Sequence, residues 1–452
     1  MNPTLTSSAH IAPDKVHETI AKRMLADGFD FVLDLEKSQG VYLFDSRHGK
    51  KLLDFFSFFA TNPVGMNHPG MKTADFTAKL LRSALHNPSN SDVYTVEMAE
   101  FVETFGTHAM PSYLPHLFLV AGGTLGVENA LKAAFDWKVR KNFARGYREE
   151  LGHKVLHFEQ AFHGRSGYTL SLTNTTDPRK TAYFPKFDWP RVLNPKVRFP
   201  LNEENLKDVK AREALSIAQI RTAFERNKDD IAAIIIEPIQ GEGGDNHFRK
   251  EFFQELRRIA DEYEAMLVFD EVQAGLGLTG KMWSYEHYDV KPDMVAFGKK
   301  TQVCGFISGT RIDEIQDNVF HVSSRLNSTW GGTLVDMVRS GRYLEIMAEE
   351  KLLENASARG AELLAGLEGM QREFPDHVSN ARGKGLMCAF DLRDGALRDK
   401  VIASAYEQGV IVIASGPTSI RFRPPLVITK EALAEGLEKL RSSIRKSIAA
   451  FS

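Results

Sequence analysis

From about residue 116 the chain alternates short apolar runs with stretches of helical spacing. Leu117–Val120, Val155–Phe158, Ile231–Ile236, Met266–Phe269 and Met294–Phe297 are continuous runs without polar alternation. Between them, a stretch reaching about Asn142 carries Val127, Leu131, Ala134, Phe135 and Lys138 at helical spacing. A second, 250–264, carries Phe253, Leu256, Ile259, Ala260 and Tyr263 on one face. Continuous runs joined through helices predict a mostly parallel sheet covered on both faces, an α/β fold. Ligands in such sheets bind beyond the carboxyl ends of the strands. Those ends here are Gly122-Gly123-Thr124, Glu237, Asp270 and Lys299.

The two ends of the chain read differently. Residues 15–27 place Val16, Ile20, Met24 and Leu25 on one side of a helix, followed by short strands near 31–35 and 41–44. Polar, proline- and glycine-bearing loops occupy 62–69 and 87–94, and a helix begins near Val96. Beyond Thr333 the pattern predicts helices at 334–350, 396–408 and 430–447, with strands at 383–391, 410–414 and 420–424. The expected organisation is an N-terminal segment 1–60 packed with a small C-terminal α+β domain, 334–452, around a large α/β domain, 61–333.

Composition narrows the partners. The chain has 452 residues and a net charge of −2, which gives no electrostatic case for nucleic acid or an acidic membrane surface. No apolar run approaches the ~20 residues of a membrane helix, and the polar stretch Met1–Asp14 has no signal-like apolar region. Cys304 and Cys388 lie far apart, forming neither a metal-ligand spacing nor a disulfide framework. A cytoplasmic protein is expected. His163 has no second His or Cys at metal-ligand spacing, so no metal is expected.

The candidate chemistry sits at the predicted strand ends. Gly298 closes an apolar run and Lys299-Lys300 follow at once. A desolvated lysine favours its neutral, nucleophilic form, which suits a Schiff base with pyridoxal phosphate. Two solvated lysines closing a strand fit the pattern equally well. Gly122-Gly123-Thr124 before a helix is a natural phosphate seat, or simply a turn. Asp270 ends a buried strand, where an unpaired carboxylate is costly. A protonated pyridine nitrogen would satisfy it, as would an arginine. Glu271 should face the other way. Phe162 could stack on a ring, and Arg165 and Arg421 could fork carboxylates. Glu242 lies on a glycine-rich turn after Glu237, where flexible glycines suit a side chain that changes partners.

These residues fall into five ordered motifs: Gly122–Lys132 (GGTLGVENALK), Phe162–Arg165 (FHGR), Glu237–Glu242 (EPIQGE), Phe269–Gln273 (FDEVQ) and Phe297–Lys299 (FGK). In order and spacing they resemble the class III (ω-) aminotransferases, fold-type I pyridoxal 5'-phosphate (PLP) enzymes, over about residues 15–445. Two departures stand out: Lys300–Gly305 (KTQVCG) replaces a glycine-rich segment, and Thr333-Leu334 replaces Asn-Pro. With 87–94, 187–190 and 324–330, these departures resemble members whose amino donor is L-lysine, reacting at its ε-amine. The resemblance implies transfer to 2-oxoglutarate, with L-2-aminoadipate 6-semialdehyde and L-glutamate as products. Ornithine or 4-aminobutyrate as donor, or a non-catalytic PLP-binding regulator, are the alternatives.

The resemblance also implies residue roles. Lys299 would form the Schiff base and move the proton. Asp270 would pair with the pyridine nitrogen, Gln273 with the ring hydroxyl, and Phe162 would stack on the ring. Gly123 and Thr124 would hold the phosphate, with Thr329 reaching the other subunit's cofactor in a homodimer with shared sites. Asn327 would lie near the substrate. Arg165 would read the remote carboxylate. Glu242 would cover Arg421 while lysine is bound and uncover it for 2-oxoglutarate.

Overall fold

A computed structural model describes residues 11–450; residues 1–10, part of the stretch expected to lack a signal, lie outside the described residues. Seven strands form the central sheet. Their spatial order is His116–Val120, Cys304–Ser308, Met294–Phe297, Met266–Asp270, Ile231–Ile236, Lys154–Phe158 and Arg191–Val192. The five from Met294–Phe297 to Arg191–Val192 pair in parallel.

Both faces are covered, and residue alternation shows it. Ala233, Ile235, Met266, Val268, Met294 and Ala296 join Val127, Leu131 and Ala134 of the Gly123–Ala144 helix in one core. Ile234, Ile236, Leu267, Phe269, Val295 and Phe297 join Phe253, Leu256 and Ile259 of the Lys250–Glu262 helix in another. A continuous apolar run is what a strand buried on both sides requires.

Cys304–Ser308 runs antiparallel to both neighbours, with Phe297 opposite Gly305 and Val120 opposite Cys304. Residues 298–303 are too short a connection for a parallel crossover, which needs about a dozen residues or more, so the chain folds straight back. Gly305 permits close packing there. A Cβ on it would lie 1.9 Å from the Phe118 carbonyl oxygen, and one on Gly126 would lie 2.7 Å from the Gly305 oxygen. The helix therefore rests directly on this strand.

The chain ends meet in two small sheets. Lys50–Asp54 pairs with Tyr42–Asp45 and, in parallel, with Val410–Ile411. Val378–Lys384, Met387–Leu392, Ser419–Phe422 and Ile413–Ser415 form a four-stranded antiparallel sheet. Some expected elements differ. The run 383–391 is not one strand but the end of one, a tight turn and most of the next, with Lys384 opposite Met387 and Gly385 in the turn at φ +52°. The stretch 31–35 makes only a bridge, Leu33 to Asp45. The first helix is short, Val16–Ala21, because Met24 and Leu25 find no core and stay 70% and 83% exposed. The run 410–414 splits between the two small sheets. Long helices at Glu203–Arg226 and Leu352–Glu373 complete the packing. Among the described residues, no helix is long and apolar enough to cross a membrane.

Candidate active site

A cavity of about 720 Å³ opens at the carboxyl ends of the parallel strands. Two elements bound its floor. The Gly123–Ala144 helix starts there, with Gly122 at φ +104° turning the chain into it. The first helical N–H groups have no intrahelical acceptor and, with the positive end of the helix dipole, form an anion seat at Gly123 and Thr124. Glycine at 123 lets the helix start lie against Val272, since a Cβ there would press on Val272 Cγ1 at 2.9 Å.

The second element separates the two lysines. The strand ends at Phe297, and Lys299–Thr301 is a tight 3-10 turn rather than further strand. The turn, not strand alternation, sends the side chains apart. Lys299 lines the cavity, and burial, followed by the nearby Arg421 charge, lowers its pKa. Lys300 is 2% exposed and donates to Gln273 O at 2.7 Å and Ala60 O at 3.3 Å, outside the cavity lining.

Asp270 projects into the cavity from the end of its strand and is 5% exposed. The Val272 N–H donates to its Oδ1 at 3.0 Å, and His163 Nδ1 lies 2.7 Å from its Oδ2. His163 is buried and fixes the carboxylate without neutralising it with an arginine. Sequence reasoning weighed His163 only as a metal ligand and missed this contact with Asp270; its place in FHGR, one residue from Phe162, is the signal that pointed to it. Glu271 faces away, bound by Ser284 Oγ and the Tyr285 N–H. Glu237 is also buried, and burial together with the Asp270 charge raises its pKa well above the usual carboxylate range. It accepts the N–H groups of Phe162 at 2.9 Å and Gly241 at 3.0 Å. It thereby ties the aromatic wall to the Glu242 loop.

The opposite wall is cationic. Arg421 is 5% exposed and donates from Nη1 to Gln273 Oε1 at 3.1 Å, while its Nε has no hydrogen-bond partner among the described residues. Burial lowers its pKa to about 10, which leaves it charged at neutral pH. Arg423 donates to the same Gln273 oxygen at 3.1 Å and forms a buried ion pair with Asp245. With its oxygen taken by two guanidiniums, Gln273 keeps its NH₂ as a donor for a ligand. Arg165 also lines the cavity, its guanidinium carbon 5.8 Å from the Phe162 ring centre.

Phe59 sits at the same wall, 5.8 Å from the Arg421 guanidinium carbon. It belongs to a left-handed turn, Ser57–Ala60, in which all four residues have φ between 39° and 66°. Such a conformation costs roughly 1 kcal/mol or more per non-glycine residue. Asp54 Oδ1, accepting from the Phe56 and Ser57 N–H groups, and the Ser57 Oγ bond to Arg423 O hold it. Lys300 and Gln302, donating to Ala60 O and Thr61 O, tie it from the lysine turn.

Glu242 does not pair with Arg421 here. Its Oε1 accepts from Lys180 Nζ at 2.5 Å and Thr175 Oγ1 at 2.8 Å. The flanking glycines are not slack, as expected from the sequence, but packed. A Cβ on Gly241 would lie 2.2 Å from Gln273 Oε1, and one on Gly243 would lie 2.1 Å from Gln160 O. Any change of partner must come from side-chain rotation.

Gly123, Thr124, Phe162, Arg165, Glu242, Asp270, Gln273, Lys299 and Arg421 thus share one cavity. Asn327 and Thr329 do not line it. Both are exposed, in a segment tied to the 87–94 loop through Ser91 Oγ to Ser328 O and Asn90 Nδ2 to Trp330 O. An anion seat, a buried carboxylate, a flat aromatic wall and a desolvated amine fit a phosphorylated pyridine aldehyde. The group would supply an electron sink for chemistry at a substrate amine.

The comparisons agree with this chemistry. The aminotransferase class-III family model matches residues 25–444. An L-lysine-epsilon aminotransferase of Mycobacterium tuberculosis is 53% identical over 433 residues, 96% of each chain. One of Amycolatopsis lactamdurans is 50% identical over 95% of each chain. The solved structure of lysine aminotransferase from M. tuberculosis in the internal aldimine form superposes with a TM-score of 0.94 at 52% identity, covering 97% of this chain and all of that one. The chain belongs to the class III aminotransferases, enzymes whose cofactor is pyridoxal phosphate.

Proposed function

We propose that the enzyme transfers the ε-amino group of L-lysine to 2-oxoglutarate, giving L-2-aminoadipate 6-semialdehyde and L-glutamate. The observation that carries this reading is Arg421, a buried cation with a free Nε, facing the cavity that holds Lys299, with Glu242 within the same lining. An ε-amine brings no carboxylate to the reacting carbon, whereas 2-oxoglutarate does. The site must cover Arg421 for one substrate and expose it for the other. Relatives that are lysine-ε-aminotransferases at 50–53% identity support lysine as donor.

Each residue then has a task. Lys299, a desolvated amine lining the cavity, would hold the cofactor and, when not bound to it, would be the group that moves a proton at the reacting carbon. Asp270, fixed by His163 and the Val272 N–H, would hold a proton on the cofactor's ring nitrogen. Gln273 would offer its NH₂ to the ring hydroxyl, Phe162 would supply an aromatic face for the ring, and Gly123 and Thr124 would hold the phosphate. Arg165, at the exposed mouth, reads the remote carboxylate of either substrate. Thr329 of the partner subunit completes the phosphate site, and Asn327 lies near the substrate. The exposure of both, away from their own chain's cavity, supports a homodimer with shared sites.

The test is an amino-donor panel with 2-oxoglutarate, trapping the semialdehyde. L-lysine should exceed ornithine and 4-aminobutyrate in kcat/KM by about tenfold or more, a transition-state difference of ~1.4 kcal/mol. A preference for ornithine or 4-aminobutyrate would overturn the donor assignment, and no turnover with any donor would favour a binding protein.

A further inference from the structure

Glu242 occupies a built seat away from Arg421. Lys180 closes the Pro178–Lys180 3-10 turn, and its ammonium meets Glu242 Oε1 at 2.5 Å while Thr175 Oγ1 donates to the same oxygen at 2.8 Å. Both partners of the ion pair are mostly shielded, with side chains 24% and 19% exposed. The nearest competing acid on that segment, Asp177, is engaged by Arg179 through two bonds of 2.9 and 3.0 Å. Lys180 is left to Glu242. The Glu242 backbone itself is held, by the Gly416 N–H on its carbonyl at 3.0 Å and by packed glycines on either side, which leaves the side chain as the part free to turn. Lys180, Glu242 and Arg421 all line the one cavity, and Glu242 lies near enough to Arg421 for its charge to act on the guanidinium while Lys180 holds it.

We propose that Lys180 and Thr175 form a parking seat for the Glu242 carboxylate, and that occupancy of this seat keeps Arg421 open to a dicarboxylate. Lys180 is then a specificity-determining positioning residue acting through Glu242. The choice between substrates becomes a competition of two cations for one carboxylate. Removing Lys180 shifts Glu242 toward Arg421 and selects against the oxo acid, not against the diamine. This deepens the proposed use of 2-oxoglutarate and rests on it.

The experiment measures binding of glutarate, a five-carbon dicarboxylate without the reactive oxo group, to the purified holoenzyme by calorimetry. A partly shielded ion pair of this kind corresponds to about a fivefold change in affinity. Lys180→Met should weaken glutarate by about that factor, and Lys180→Arg should stay within about twofold of the native enzyme. The Michaelis constant for lysine should not rise in Lys180→Met. In a Glu242→Ala background, Lys180→Met should change glutarate affinity by less than about twofold, because the residue it acts through is gone. Equal weakening in both backgrounds would make Lys180 a direct carboxylate ligand and overturn the parking seat, as would no weakening in the native background. Failure of the native enzyme to bind glutarate would instead overturn the dicarboxylate reading on which the seat depends.

Discussion

Glu271 provides a clean measurement of what burial costs beside the site. It follows Asp270 directly yet faces the core, 1% exposed, with Ser284 Oγ 2.8 Å from each carboxylate oxygen and the Tyr285 N–H 2.7 Å from Oε1. No cation pairs with it, and desolvation raises its pKa to about 7. The folded state then binds a proton that the unfolded chain, titrating near a glutamate's ordinary value of 4.5, has already lost. Stability from this group is complete below about pH 4.5 and is lost as pH rises through about 7. A shift of this size corresponds to about 3 kcal/mol at pH 8. Glu271→Gln keeps the shape: its carbonyl accepts the Tyr285 N–H and its amide donates to Ser284 Oγ. Urea unfolding of both proteins between pH 5 and 8 should therefore show the native enzyme losing about 2.5 kcal/mol relative to the variant across that window. Other titrating groups cancel in the difference. The visible absorbance of bound cofactor should persist in the variant, because Asp270 is untouched. A pH-independent difference, or a variant that falls further behind as pH rises, would refute the reasoning.

Further outcomes test the site. Lys299→Ala should lose the visible cofactor band. Lys300→Met should keep it while lowering stability by about 2 kcal/mol, as Ala60 O and Gln273 O lose their donor; absorbance and urea titration read both. Lys299→Ala and Thr329→Val subunits, each inactive alone, should regain activity when mixed and re-associated. One site of the mixed dimer then carries Lys299 and the partner's Thr329 intact. No recovery would place Thr329 in its own chain's site. Gly126→Ala should cost about 2 kcal/mol in urea unfolding, because its Cβ would lie 2.7 Å from the Gly305 carbonyl oxygen.

The parallel core was readable because its strands are buried on both faces and so are written as unbroken apolar runs. Ile231–Ile236 and Met294–Phe297 match their runs residue for residue. Cys304–Ser308 was not readable. Its identity as a strand depends on backbone pressed against Phe118 and Gly126, which leaves a glycine where a propensity signal would be. Gly123, Asp270 and Lys299 were legible because each sits at or just past the end of an apolar strand, while Phe162, Arg165 and Glu242 follow on the loops that leave such strands. Residues that act through others left no such signal. His163, Phe59 and Lys180 reach the site from a loop, a left-handed turn and a short 3-10 turn. Only tertiary contacts assign them. Periodicity also could not separate Lys299 from Lys300, since the turn that divides them is not strand at all.

The bonds from Lys300 to Ala60 O and Gln273 O have a consequence for how such a cavity can be retuned. They place Phe59, Gln273 and the neighbouring Lys299 in one frame, so the inner wall cannot be widened without displacing the nucleophile. Room for a longer or shorter donor has to be made at the mouth, where Arg165 and Lys180 are carried on short loops outside that frame. In a lineage exchanging one diamine for another, substitutions would accumulate around the 175–180 segment while the wall behind Lys299 stays fixed.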